Sequence, residues 1–239
     1  MQAAVSLPIA ISSPPGWIQQ TLLVLRKDLA IELATKEIVT TSGFFAVLVA
    51  TIASLAFSGG ADVRQRVAPG VIWVAVAFAA VLALSRAWQR ERDDGALNGL
   101  LVSPVARSAV FAGKALGLSV FLLAIEAIVI PVAAVFFGID LVQVGPGLAI
   151  FCLLVTPGLA ASGTLFGAMT IRTRARDLVL ASVLLPLTAP SILTGVAGTR
   201  AAIGGANLAA LTDYFLLDLL FAAVFVAGGL GLFETLIEG

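Results

Sequence analysis

Histidine is missing from all 239 residues of this chain, and cysteine occurs once, as Cys152. Without histidine there is no H-E-x-x-H zinc site and no Ser-His pair for nucleophilic catalysis. A lone cysteine excludes an intrachain disulfide framework and a multi-cysteine zinc site. Charge is scarce too. Fourteen basic and fourteen acidic residues make up 12% of the chain, against roughly 25% in a soluble globular domain. They cancel to a net charge of zero, which leaves no basic footprint for nucleic acid. A phosphate-binding G-x-x-x-x-G-K-[ST] loop is also absent, because alanine follows Gly113-Lys114 and no glycine precedes it at the required distance. The chain therefore does not hydrolyse ATP by that mechanism.

Apolar sequence fills the space. Hydrophobic residues make up 60% of the chain, and its mean hydropathy is +1.08. Six apolar runs, at 38–57, 71–88, 109–137, 147–171, 178–196 and 211–233, approach or exceed the ~20 residues that cross a bilayer. The fold class expected is all-α: a polytopic membrane protein with six transmembrane helices. The third run is long enough to tilt, bend at Pro131 or protrude. Pro186 and Pro190 predict a kink or break in the fifth. Residues 1–16 lack the basic start of a secretory signal and read as a tail.

Three regions hold 11 of the 14 basic residues: Arg26, Lys27 and Lys36; Arg86, Arg90, Arg92, Arg107 and Lys114; and Arg172, Arg174 and Arg176. Arg64, Arg66 and Arg200 lie in the opposite loops. With an even number of spans, this asymmetry places both termini in the cytoplasm. Between 17 and 37, Ile18, Leu22, Leu25, Leu29 and Leu33 recur at helical spacing, with Arg26, Lys27 and Asp28 turned away. The segment reads either as an amphipathic helix on the cytoplasmic membrane surface or as a plain extension of the first span. The remainder, 38–239, forms the six-helix domain.

The second cytoplasmic loop carries the densest local signal. Asp94 can cap a short helix in which Leu97, Leu100 and Leu101 share one face. Ser103-Pro104 then ends it. Such a helix suits a groove on a partner protein, although a solvated loop is the plainer alternative. Within the spans, Glu126 sits near the middle of the third, and Asp213 and Asp218 lie in the sixth, Asp213 close to the outer boundary. Charges at membrane depth are functional candidates by default. Lys114 is twelve residues from Glu126, about 18 Å along a helix, too far to pair with it. Gly113 with Gly117, and Gly163 with Gly167, offer close helix contacts.

Several of these segments together resemble one family. They are the Ala68–Ala75 stretch with Pro69, Gly70 and Trp73, the Asp93–Pro104 loop, Thr156-Pro157-Gly158, and Leu185–Pro190 with Pro186 and Pro190. The opening stretch Leu25–Glu37 adds to them. In this order they are similar to the haem exporter B (CcmB) permeases of cytochrome c maturation. The resemblance implies an ABC-2-type exporter subunit of the bacterial inner membrane, non-catalytic by itself. It implies a separate haem exporter A-type ATPase that binds the ATP. Haem-handling membrane proteins, a periplasmic haem chaperone and a second copy of the chain would be further partners, within a lipid environment. Glu91, Asp94, Gly95, Leu97, Leu100, Leu101 and Pro104 would form the ATPase-coupling segment. Three readings remain compatible: an ATP-coupled haem permease, a non-transporting scaffold for haem-handling partners, or a permease for another lipophilic substrate. Haem would be a transported ligand and not a stably held cofactor. The only axial-ligand types present are Cys152, Met1, Met169 and Tyr214. Cys152 lies in an apolar run that disfavours the ligating thiolate.

Overall fold

The computed structural model describes residues 15–57, 59–93, 99, 104–170 and 176–238. Among them are seven α-helices and one short 3-10 turn. They are α1 (Trp17–Thr35), α2 (Glu37–Ala56), α3 (Ala61–Asp93), α4 (Arg107–Phe137), α5 (Leu141–Thr170), α6 (Arg176–Ile203) and α7 (Thr212–Glu238), with the turn at Leu208–Leu211. Helices α2 to α7 each contain a stretch long and apolar enough to cross a membrane. The protein is thus an all-α polytopic membrane protein with six candidate spans. They alternate in direction, so the starts of α2, α4 and α6 share one end with the finishes of α3, α5 and α7. Most arginines and lysines lie at this basic end.

Helices α3 and α5 are the most enclosed, whereas α2 and α7 show most of their apolar surface outward, as lipid-facing helices do. The continuous core runs through Trp73, Leu84, Phe121, Leu122, Ile125, Phe151 and Val155. Close approach of the helices depends on residues without side chains. A Cβ on Gly113 would sit 2.6 Å from Val24 Cβ and 2.8 Å from the Thr21 carbonyl oxygen, so α1 crosses α4 almost backbone to backbone. Gly163 and Gly167 similarly admit Leu84 and Trp88 of α3. Both glycine pairs singled out in the sequence are therefore helix crossings.

Of the kink or break expected at Pro186 and Pro190, the break does not occur: helix α6 continues through both prolines, as α4 does through Pro131. Each ring removes one backbone donor, but the surrounding bundle keeps the helices intact. Helix α3 also outruns its apolar stretch at both ends, because the flanking arginine-rich segments continue the helix beyond the membrane-length run. Lys36, in the left-handed conformation at φ 54°, separates α1 from α2. Glu37, which the sequence reading gave to the surface helix, instead opens α2.

Candidate functional site: a charged clasp at the basic end and two carboxyls within the spans

Helix α1 turns its charged side inward. Gln20, Thr21, Val24 and Glu32 are buried, while Ile18, Leu22 and Leu33 of the apolar stripe are exposed. Beneath it Lys114, near the start of α4, and Glu91, near the end of α3, are each 5% exposed. Lys114 Nζ donates to Glu91 Oε2 at 2.7 Å and lies 3.5 Å from Asp28 Oδ2. Lys27 Nζ donates to Glu91 Oε1 at 3.1 Å and reaches Asp28 Oδ1 at 3.1 Å. Burial works against charging Lys27, but Asp28 and Glu91 outweigh it and hold the ammonium above its ordinary range. Burial works against charging Glu91 too, but Lys114 and Lys27 hold its carboxylate below its ordinary range. Trp88 supplies a ring face 5.3 Å from Lys114 Nζ, a further electrostatic contact.

A second layer joins α1, α2 and α3. Arg90 pairs with Glu32 at 3.4 Å and Glu37 at 3.1 Å, and donates to Thr35 Oγ1 at 3.0 Å. Glu32 Oε1 accepts from the Val39 N–H, satisfying a donor in the first turn of α2. Arg86 meets Glu37 on the exposed side. At its other end α1 holds the approach to α4: Trp17 Nε1 donates to Ser108 Oγ at 3.0 Å, and Gln20 Oε1 accepts from the Ala106 N–H at 2.8 Å. One helix thus grips both flanks of the 94–103 segment.

Deeper in the bundle, two carboxyls bridge helices. Glu126 Oε1 accepts from Thr156 Oγ1 at 2.7 Å, joining α4 to α5. Asp218 Oδ1 accepts from Ser191 Oγ at 2.8 Å, joining α7 to α6. Glu126 is 2% exposed and Asp218 is 0%. The second oxygen of each has no N–H or O–H partner among the described residues. The Cys152 thiol, a weak donor at best, stands beside Glu126.

The sequence-predicted residues divide accordingly. Glu91 is central to the clasp. Asp94, Gly95, Leu97, Leu100 and Leu101 lie outside the described residues, and Pro104 is exposed just before α4. Trp73 is buried and donates to Thr199 Oγ1 at 2.9 Å, its ring lying against Gly195. Pro69 is buried at its base, with Gly70 half-buried beside it. Pro157 follows Thr156 in α5, and Pro186 and Pro190 face outward from α6. Sequence reasoning missed the inward role of Lys27, Asp28 and Lys114: it counted the lysines among the basic residues that orient the spans and tested Lys114 only against Glu126. The signal available was Lys114 itself, a lysine inside an apolar run with no histidine or acid nearby on its own helix. Among the described residues no group of three or more acidic or cysteine side chains is placed to hold a metal ion.

Comparison with known proteins bears on what such a bundle is. The chain is 29% identical over 166 residues to "Heme exporter protein B" of Paracoccus denitrificans, covering 68% of this chain and 74% of that protein. It is 26% identical over 185 residues to the protein of the same name from Pseudomonas aeruginosa, covering 77% and 82%. A third of that name, from Escherichia coli, is 34% identical over 71 residues, covering 30% and 32%. The family model described as "CcmB protein" matches residues 19–230, a stretch that takes in all but the first two residues of α1, the Lys27–Asp28–Glu91–Lys114 cluster, both intramembrane carboxyls and all but the end of α7. On that match, this chain belongs to the CcmB family.

Proposed function

We propose that this chain is the membrane permease subunit of an ABC-type haem export complex serving cytochrome c maturation, driven by ATP hydrolysis on a separate haem exporter A-type ATPase. The observation that carries this reading is the family match over residues 19–230, together with relatives named for haem export. The clasp supports the mechanical half. Because α1 holds Glu91 before the 94–103 segment and Ala106 and Ser108 after it, force applied there by an ATPase passes directly into α1, α3 and α4. Glu91, Asp94, Gly95, Leu97, Leu100, Leu101 and Pro104 are the residues assigned to coupling. In this reading 1–16 is a tail and α1, Trp17–Thr35, lies along the inner membrane surface. The exposed Ile18, Leu22 and Leu33 then face the acyl chains.

The basic asymmetry orients the bundle with both termini in the cytoplasm of a bacterium. Haem-handling membrane proteins and a periplasmic haem chaperone complete the assembly, with a second copy of this chain as the companion permease. Haem is cargo, and the ATP site belongs to the partner. Deleting the chain should abolish assembly of c-type cytochromes, and a tagged chain should bring down a P-loop ATPase in proportion. Normal covalent haem attachment in the deletion strain, or a tagged chain free of any such ATPase, overturns the reading.

A further inference from the structure

Between α4 and α5 a groove of about 360 Å³ opens on the outer face of the bundle, within the size range of binding pockets. Leu123, Glu126, Ala127, Ile130 and Pro131 form one wall. Gly145, Leu148, Ala149, Cys152 and Leu153 form the other. Each wall spans eight residue steps, about 12 Å at 1.5 Å per residue, or roughly two helical turns. Glu126, Leu148 and Cys152 are its buried floor, whereas Ala127, Pro131, Ala149 and Leu153 are its exposed rim. We propose that this groove docks a transmembrane helix of a different chain, which brings one cationic or imidazole side chain to Glu126.

Shape identifies the occupant as a helix. Gly145 and Ala149 lie one turn apart on α5, and Ala127 adds a small residue to the α4 wall, the kind of surface that lets another backbone come close. Depth excludes a lipid headgroup. Glu126 is eleven residues from the end of α4 at Phe137, about 17 Å. That is near the midplane of a ~30 Å hydrocarbon layer, where lipid amines do not reside.

Polarity identifies the side chain. Glu126 Oε2 is buried and lacks an N–H or O–H partner among the described residues, while Oε1 is occupied by Thr156. Two further acceptors stand nearby, because Pro131 cannot donate to the Ala127 carbonyl nor Pro157 to that of Leu153. A groove rich in acceptors, with one weak thiol donor, suits a donor from outside.

A second copy of this chain does not supply it. No lysine or arginine occurs at 37–63, 67–85, 115–171, 177–199 or 201–239, which cover the depth of every span, the chain has no histidine, and Lys114 is held by Glu91. The occupant is therefore another protein, and its docking does not depend on what the permease carries.

The test places a photo-crosslinking benzophenone amino acid at Leu153 in the full chain, in cells that make its complex. The expected adduct is to one membrane-spanning segment of another chain, with a lysine, arginine or histidine within a turn of the linked residue. Glu126→Leu should lower the adduct about tenfold, while Glu126→Gln, which still hydrogen-bonds, retains most of it. Ala149→Phe fills the groove on an exposed rim position and should abolish the adduct while leaving the Glu126–Thr156 bond untouched. This last variant keeps the test decisive if Glu126→Leu fails to fold. An adduct to lipid or to a second copy overturns the proposal. So does an adduct to a segment without a basic residue, one indifferent to Glu126→Leu and Ala149→Phe, or no adduct at all.

Discussion

Lys114 and Glu91 meet at 2.7 Å across two helices, both nearly excluded from solvent, with the Glu91 carboxylate shared by Lys27 of a third. A buried pair of this kind costs much more to halve than to remove. Glu91→Leu leaves two ammonium groups facing only Asp28 and should lower stability by about 3–5 kcal/mol. The double variant Glu91→Leu with Lys114→Leu should recover a large part of that loss. Thermal unfolding in detergent measures both. Losses that simply add would show that the two residues do not depend on each other.

Gly113 permits the backbone approach of α1 to α4, and Gly113→Leu places atoms where Val24 and the Thr21 carbonyl stand. Overpacking of this kind costs about 1–3 kcal/mol, and the movable part is α1. Trypsin should then cut after Arg26 or Lys27 many times faster than in the unaltered chain, while α2 to α7 stay folded. Unchanged cleavage would mean that α1 is held by its ion pairs alone.

Topology is checked by single-cysteine labelling in a Cys152→Ser background. Cysteines near Asp93 and Arg174 should react from the cytoplasm, and those near Asp62 and Gly205 from outside. The motive is the 11-to-3 division of basic residues. Outside labelling near Asp93 reverses the orientation and removes the ATPase from the clasp.

Leu100→Glu or Leu101→Glu should weaken capture of the ATPase without affecting membrane insertion, since an unpaired carboxylate in an apolar groove costs several kcal/mol, on the order of 3. Pull-down and cytochrome c assembly are the two readouts. Normal values of both would place coupling elsewhere.

The chain purified alone and titrated with haem should bind it weakly and without fixed stoichiometry. Absorption spectra should not change in Cys152→Ser, Met169→Leu or Tyr214→Phe. A six-coordinate haem lost in one of these variants would establish axial ligation by this subunit.

The spans were legible in the sequence because membrane thickness dictates a run length, and the runs at 109–137 and 178–196 fall inside α4 and α6. The intramembrane acids were legible because Glu126 and Asp218 stand alone among apolar neighbours. Their partners were not: Thr156 and Ser191 are 30 and 27 residues away in sequence, and no local pattern marks which hydroxyl will face a carboxyl. The facing of α1 was hidden for a related reason. Periodicity separates its apolar stripe from its charged side but does not say which looks inward, and in a bilayer the apolar side can face out. Pro186 and Pro190 do not break α6, because a bundle tolerates missing backbone donors that an isolated helix would not.

The clasp also constrains how the protein is made. Helix α1 ends at Thr35, yet its partner Lys114 is encoded about 80 residues later, several seconds of synthesis at ~5–20 residues per second. Lys27 and Asp28 lack Glu91 until α3 is made and Lys114 until α4 begins, and α1 waits at the membrane surface with its charged side hydrated. Docking of the first helix is thus a late event in biogenesis. It becomes possible only after the third membrane-crossing helix has begun to emerge, so a chain truncated before residue 114 carries an α1 open to proteases and chaperones.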